Sequence, residues 1–301
     1  MNGRVIRFDA HERLVARARA YVNDAGGSGP RHDAAVGLLH KAFKRGDEDL
    51  KLKIVLMLGT LVCPQAVAPL YELMHDADES EFIRHAAAVQ LSVLGGLLQD
   101  NAQLVARLID DLRDPDPFSR ANATFALGWE GNLAAMEVLI ERLDDENPEV
   151  QQAAVNALGN LKDERLFGVL AAKLEQGARE QKRTILYNLY RFTARKPEAV
   201  AIYERFILRG DRALRCDALA VLHALARPQD HLALYRQCLL DEDHRVRELA
   251  LIHLAGAPPA ELVSLRKRIL AMTRDPEAEV RRAAVRLGHH IQPSAVVPAA
   301  P

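Results

Sequence analysis

Apolar residues return along this chain at helical spacing in two short runs separated by a turn, and that two-run unit then repeats. Residues 133–161 show it plainly. LAAMEVLIERL sets Met136, Leu139, Ile140 and Leu143 on one side of a helix, DDENP makes a turn, and EVQQAAVNALGNL sets Val150, Ala154, Val155 and Leu158 on one side of a second helix. Aligned on a mostly apolar anchor in the second run, the copies fall at Leu50, Ile83, Ser119, Val150, Gln181, Leu214, Val246 and Val280, at gaps of 31 to 36 residues. A period of that length means stacked supersecondary units, none able to bury its apolar face alone. The pattern therefore predicts an all-α chain, an α-solenoid of about eight helix pairs. Nothing reads as a strand, because runs such as KIVLMLG continue the 3.6-residue period on both sides.

Within each second helix, the anchor and the residues four and eight later share one face. The residue at +4 is Ile54, Ala87, Ala123, Ala154, Ile185, Ala218, Ala250 or Ala284, and the small side chains predict close helix approach. The residue at +8 is a leucine from Leu58 through Leu254, with Leu287 one place early. Prolines punctuate the pattern. Pro115, Pro117, Pro148 and Pro276 fall in intra-repeat turns, Pro64, Pro197 and Pro258 open first helices, and Pro69 should bend the helix it enters. Residues 1–30 read as an N-terminal capping helix and a Gly-rich loop, 31–290 as the solenoid, and 291–301, with three prolines and no charge, as a disordered tail.

The residue after the anchor is Lys51, Arg84, Arg120, Gln151, Lys182, Arg215, Arg247 or Arg281; seven of eight are basic, where the average of 40 in 301 gives about one. Five residues before the anchor stand Asp78, Asp114, Asp145, Asp241 and Asp275. Position +1 lies beside the apolar stripe, so these cations need acceptors. Stacking would bring each Asp near an Arg of its own or the adjacent repeat. The expected ladder joins Asp78, Arg84, Asp114, Arg120, Asp241, Arg247, Asp275 and Arg281.

The segments LRDPDPFSRANATFALG, LDDENPEVQQAAVNALG and TRDPEAEVRRAAVRLG are close to the pattern L-x-D-x-x-x-x-V-R-x-x-A-x-x-x-L-G. On these residues the chain resembles the HEAT-repeat family, especially the short type also found in phycobilin lyases, over roughly residues 33–290. The resemblance implies an ARM/HEAT-type right-handed superhelix whose second helices line the concave face. It implies little about activity.

Charge and composition narrow the partners. Lys plus Arg number 40 against Asp plus Glu 41, a net charge of −1, which argues against a nucleic-acid or anionic-membrane binder. No run of 18 apolar residues occurs and three cysteines form no CxxC pair, so a cytoplasmic, reducing location is expected. No catalytic motif appears, and neither a cofactor nor a metal is expected. The His-Glu pairs that the HEAT-like iron enzyme deoxyhypusine hydroxylase carries inside its repeats have one counterpart here, His11–Glu12, and it lies outside them.

Positions +2, +6 and +9 of the second helices point away from the packed stripe. There or next to it stand Phe125, Trp129, Gln152, Asn156, Arg183, Tyr187 and Tyr190, the aromatic, amide and Arg chemistry of recognition hot spots. The leading expectation is a non-catalytic scaffold holding a protein or peptide partner there. A bilin lyase-isomerase-like enzyme and a nucleic-acid-binding HEAT-like protein stay open as alternatives, and oligomeric state is not read from the sequence.

Overall fold

The computed structural model describes residues 12–20, 30–44, 46–99 and 101–291. The expected Gly-rich loop, apart from Pro30, and the expected tail, apart from Ile291, lie outside the described residues, as does His11. Among the described residues there are helices and no strand.

The chain divides into two compact units, Met1–Leu166 and Phe167–Pro301. In the first unit, residues 12–20 form α1, followed by α2 (Pro30–Phe43) and α3 (Glu48–Thr60), then α4 (Val67–His75) and α5 (Glu81–Val93). A four-residue turn of helix, α6 (Gly95–Leu98), leads into α7 (Ala102–Asp111) and α8 (Pro117–Leu127), and α9 (Met136–Glu141) with α10 (Pro148–Asn160) completes the set. From the boundary onward come α11 (Leu166–Gln176) and α12 (Arg179–Leu189), α13 (Lys196–Arg209) and α14 (Arg212–Leu225), α15 (Leu232–Cys238) and α16 (His244–Leu254), and α17 (Arg266–Ala271) and α18 (Ala278–His290). The second helices lie side by side in chain order: α3, α5, α8 and α10 in the first unit, α12, α14, α16 and α18 in the second.

Each anchor is the third residue of its second helix. What fixes that start is the residue three before the anchor. Asp47, Ser80, Asp116, Asn147, Asp211 and Asp243 each accept a backbone N–H of the first turn through the side chain. Ala178 and Glu277, which open α12 and α18, make no such side-chain bond. Beyond the cap, the +4 residues of all eight second helices are completely buried and the +8 leucines nearly so. The close approach expected from small residues is visible at Gly128, where an added Cβ would stand 2.8 Å from the Ala157 Cα of the next second helix.

First helices are less regular. Those of the second, fourth, sixth, seventh and eighth pairs open with a 3₁₀ segment before turning α. The bend expected at Pro69 does not occur inside a long helix. Pro64 starts a 3₁₀ turn, and Pro69 is the third residue of α4, where its missing N–H has no helical partner to lose.

The charged residues beside the stripe bond in a consistent way. Arg120 donates from Nε and Nη2 to the two oxygens of Asp145 at 3.0 and 2.9 Å, while its Nη1 donates to the carbonyls of Asp114 and Pro115. Arg247 repeats this with Asp275 at 2.9 and 2.8 Å and with the carbonyls of Asp241 and Glu242. Arg215 reaches Asp241 and Glu242, and Lys51 reaches Glu79 at 2.6 Å. The cation of one pair thus takes the carboxylate of the following pair and only the backbone of its own. Asp145, Asp241 and Asp275 also accept the N–H two residues on, which holds each turn shut.

The pairing expected of Asp78 with Arg84 does not form. Asp78 is exposed, Asp76 takes the turn N–H instead, and Arg84 donates to the Met74 carbonyl with its guanidinium 4.8 Å from the Phe118 ring. The turn of this pair places its acceptors one residue later and two earlier than the pattern assumes. Arg281 donates to the carbonyls of Asp275 and Pro276.

Candidate functional site

With +4 and +8 buried, the +6 residue of each second helix is left on the outer edge of the helix layer. In the first unit it is Leu56, Val89, Phe125 or Asn156; in the second it is Tyr187, Ala220, Ile252 or Arg286. Leu56 is 44 % exposed, Tyr187 44 % and Ile252 53 %, whereas the +4 residues of the same helices, Ile54, Ile185 and Ala250, have no exposed surface. On α3, α12 and α16 the periodicity that buries +4 thus leaves a large apolar side chain exposed at +6.

In the first unit, His85 at +2 of α5 lies with Nδ1 3.0 Å from the Asn122 side-chain oxygen, so the ring donates from Nδ1. Its ring meets Phe125 edge-on at 4.8 Å. Phe125 is half-buried and packs on the buried Ala121, Val150 and Ala153, tying α8 to α10. Gln152 and Asn156, both half-buried, continue this edge on α10. Trp129 does not join them. It is 5 % exposed and its ring lies against Gly95, at a backbone position where any Cβ would overlap it. The physical reason is that α8 ends at Leu127 with Gly128 as its C-cap, so the 100° step that pointed residue 129 outward no longer applies. The Trp129 Nε1 has no acceptor among the described residues.

In the second unit, Arg183 and Tyr187 are brought together by a residue absent from the expected set, Asp217 of α14. Arg183 Nε donates to one Asp217 oxygen at 2.5 Å and the Tyr187 hydroxyl donates to the other at 3.0 Å. Burial, then the bond to Asp217, pushes the Tyr187 hydroxyl above its ordinary value, and the same carboxylate raises Arg183. Tyr187 is therefore a neutral donor at any physiological pH. Tyr190 caps α12, 38 % exposed, with the Arg191 guanidinium 5.6 Å from its ring. A sequence signal for Asp217 existed: a lone Asp at +3 of a second helix otherwise apolar on that side needs a cationic partner. His223 and His253, stacked at 4.7 Å, are a further inter-pair contact the pattern did not single out.

Burial lifts the Cys216 thiol to about 11 and the Cys238 thiol to about 12, so neither is a ready nucleophile at neutral pH. Among the described residues no three His, Cys, Asp or Glu side chains cluster as metal ligands, and no helix is long and apolar enough to cross a membrane.

Residues 105–189 match the family model of HEAT repeats. Among solved structures the chain is similar to the complex of CpcE and CpcF of phycocyanin lyase from Nostoc, at 20 % identity over 89 % of this chain and 97 % of that one, with a TM-score of 0.42. It is similar also to an archaeal HEAT-like repeats protein from Thermococcus onnurineus, at 19 % identity over 74 % and 96 % with a TM-score of 0.45. An engineered protein is matched at 17 % identity over 93 % and 85 % with a TM-score of 0.42. No curated protein sequence matches the chain. The chain carries HEAT repeats, matched over residues 105–189.

Proposed function

We propose that this protein is a non-catalytic repeat scaffold that holds a protein or peptide partner along the exposed edges of its second helices. The observation that carries the reading is the +6 row: Leu56, Tyr187 and Ile252 stand 44 to 53 % exposed on helices whose +4 positions are completely buried. Large apolar side chains presented at +6 on three of the eight second helices, with an Arg–Asp–Tyr network fixing one of them, suit a shallow partner contact better than a small enclosed ligand. Tyr187 fits the anchor role, since its hydroxyl is already satisfied by Asp217 and its ring is free to be covered. The near-zero net charge favours a mixed apolar and polar protein surface over nucleic acid.

A photo-crosslinking amino acid placed singly at 56, 187 and 252 tests this in the native cell. Controls at the exposed Glu72 and Arg209, on first helices, report background. One discrete partner should be captured from the second-helix positions and not from the controls. Tyr187→Ala should cut capture at 252 about tenfold or more, the loss of one hot-spot aromatic, whereas Tyr187→Phe, which also gives up the bond to Asp217 but keeps the ring, should retain it. Equal capture from both sets would remove the reading.

A further inference from the structure

The geometry points to a carboxylate-binding site at the C-terminal end of the second unit, in which Arg281 takes an acidic side chain of a partner protein docking end-on. Of its residues only Arg286, at +6 of α18, belongs to the second-helix edges. Within the stack, an arginine at +1 is held by its own turn and used by the next pair. Arg120 and Arg247 each anchor Nη1 on two carbonyls of their own turn and present Nε and Nη2 as a fork, filled by Asp145 and Asp275 of the following pair. Arg281 is anchored the same way, with Nη1 2.7 Å from the Asp275 carbonyl and 2.6 Å from that of Pro276. Among the described residues no pair follows α18, and nothing takes its Nε or Nη2. The fork is therefore oriented before any ligand arrives, which lowers the entropic cost of binding.

The surroundings suit an acidic protein segment. A cavity of about 530 Å³ is lined by Thr273, Ala278, Arg281, Arg282, Val285 and Arg286. Arg282 is paired with Glu279 at 2.8 Å, but Arg286 has no ion-pair partner among the described residues, leaving two cations to be matched. Val285, 44 % exposed, supplies an apolar contact next to them. A carboxylate is the favoured anion because two internal copies of this fork hold one. A second copy of this chain stacked head-to-tail fits poorly. In its first pair no acid stands five residues before the anchor, where Asp145 and Asp275 stand in the pairs that fill Arg120 and Arg247.

The probe is the acetylated, amidated hexapeptide LDDENP, the chain's own turn at 143–148 that carries the acid for Arg120. It is titrated into ¹⁵N-labelled full-length protein, read on the Arg281 Nε–H and on the amides of Ala278 and Val285. A saturable shift at these groups is expected, lost when the peptide carries Asp145→Asn. Arg281→Lys keeps the charge but not the fork, and should weaken binding about tenfold. Val285→Glu, at an exposed site, should weaken it too while leaving the melting temperature unchanged. Absence of a saturable shift, equal binding of the Asn peptide, or equally tight binding of inorganic phosphate at matched ionic strength would each overturn the assignment.

Discussion

Arg120 shows how much of this architecture rests on single side chains. Its side chain is 7 % exposed and its partner Asp145 is 4 % exposed. Burial alone would push the Asp145 carboxyl up, but the Arg120 fork and the Asn147 N–H outweigh it and hold the group below the usual carboxylate range. Arg120→Ala leaves that carboxylate buried with one partner fewer, and should cost about 3 kcal/mol in denaturant unfolding. Because a depressed carboxyl contributes its stability above its unfolded value and loses it as pH falls through the folded one, the wild type should weaken below about pH 4. The Arg120→Ala variant should lose less over that range. His253 acts in the same sense at higher pH. Burial, with help from the neighbouring His223, lowers it to about 4. The unfolded chain then takes up a proton that the folded one refuses, so stability should fall as pH drops from about 6.5 towards 4. His253→Phe should flatten that slope in pH-dependent melts. The cations at +1 were legible because their spacing repeats; Asp217 carried a signal of a different kind, a single acid in an apolar stripe, and Asn122, neutral and occurring once, carried none.

At the scale of the element, second helices were readable nearly to the residue. The anchor recurs at their third position, and the Asp, Ser or Asn three before it caps the first turn in six of eight. That capping row, six of eight against seven of eight for the basic one, could have been found by the same alignment. Ala178 already has N-cap geometry, with φ −61° and ψ 159°, and lacks only the side-chain acceptor. Ala178→Ser should therefore stabilise the protein by about 0.5–1 kcal/mol, measured as a shift in denaturant midpoint at constant slope. First helices were less legible. The 3₁₀ openings at Pro64–Ala66, Leu133–Ala135 and Thr193–Arg195 differ from α in hydrogen-bond register rather than in which residues are apolar. Trp129 failed for a related reason: extrapolating a helical angle past a C-cap assigns a direction to a residue that is no longer helical. Trp129→Ala should act as a core deletion, costing about 3–5 kcal/mol, and is unsuitable as a test of binding.

For the whole molecule, the repeated device is one pair's cation closing on the next pair's acid. It runs through Lys51–Glu79 and Arg120–Asp145 in the first unit, and through Arg215–Asp241 and Arg247–Asp275 in the second. Gln151 stands at the corresponding place of the fourth pair and donates only to the Asp145 carbonyl of its own turn. The second-helix edges follow from this stacking, since it is the neighbouring pairs that bury +4 and +8 and leave +6 outside. The direct test is a pair of double-mutant cycles on the full chain, Arg247 with Asp275 of the next pair and Arg247 with Asp241 of its own, read by denaturant unfolding. Arg247 uses the carboxylate of the first and only the backbone of the second. A coupling of about 2 kcal/mol for the first cycle and under about 0.5 for the second is predicted. Coupling confined to the Asp241 cycle, or absent from both, would contradict it.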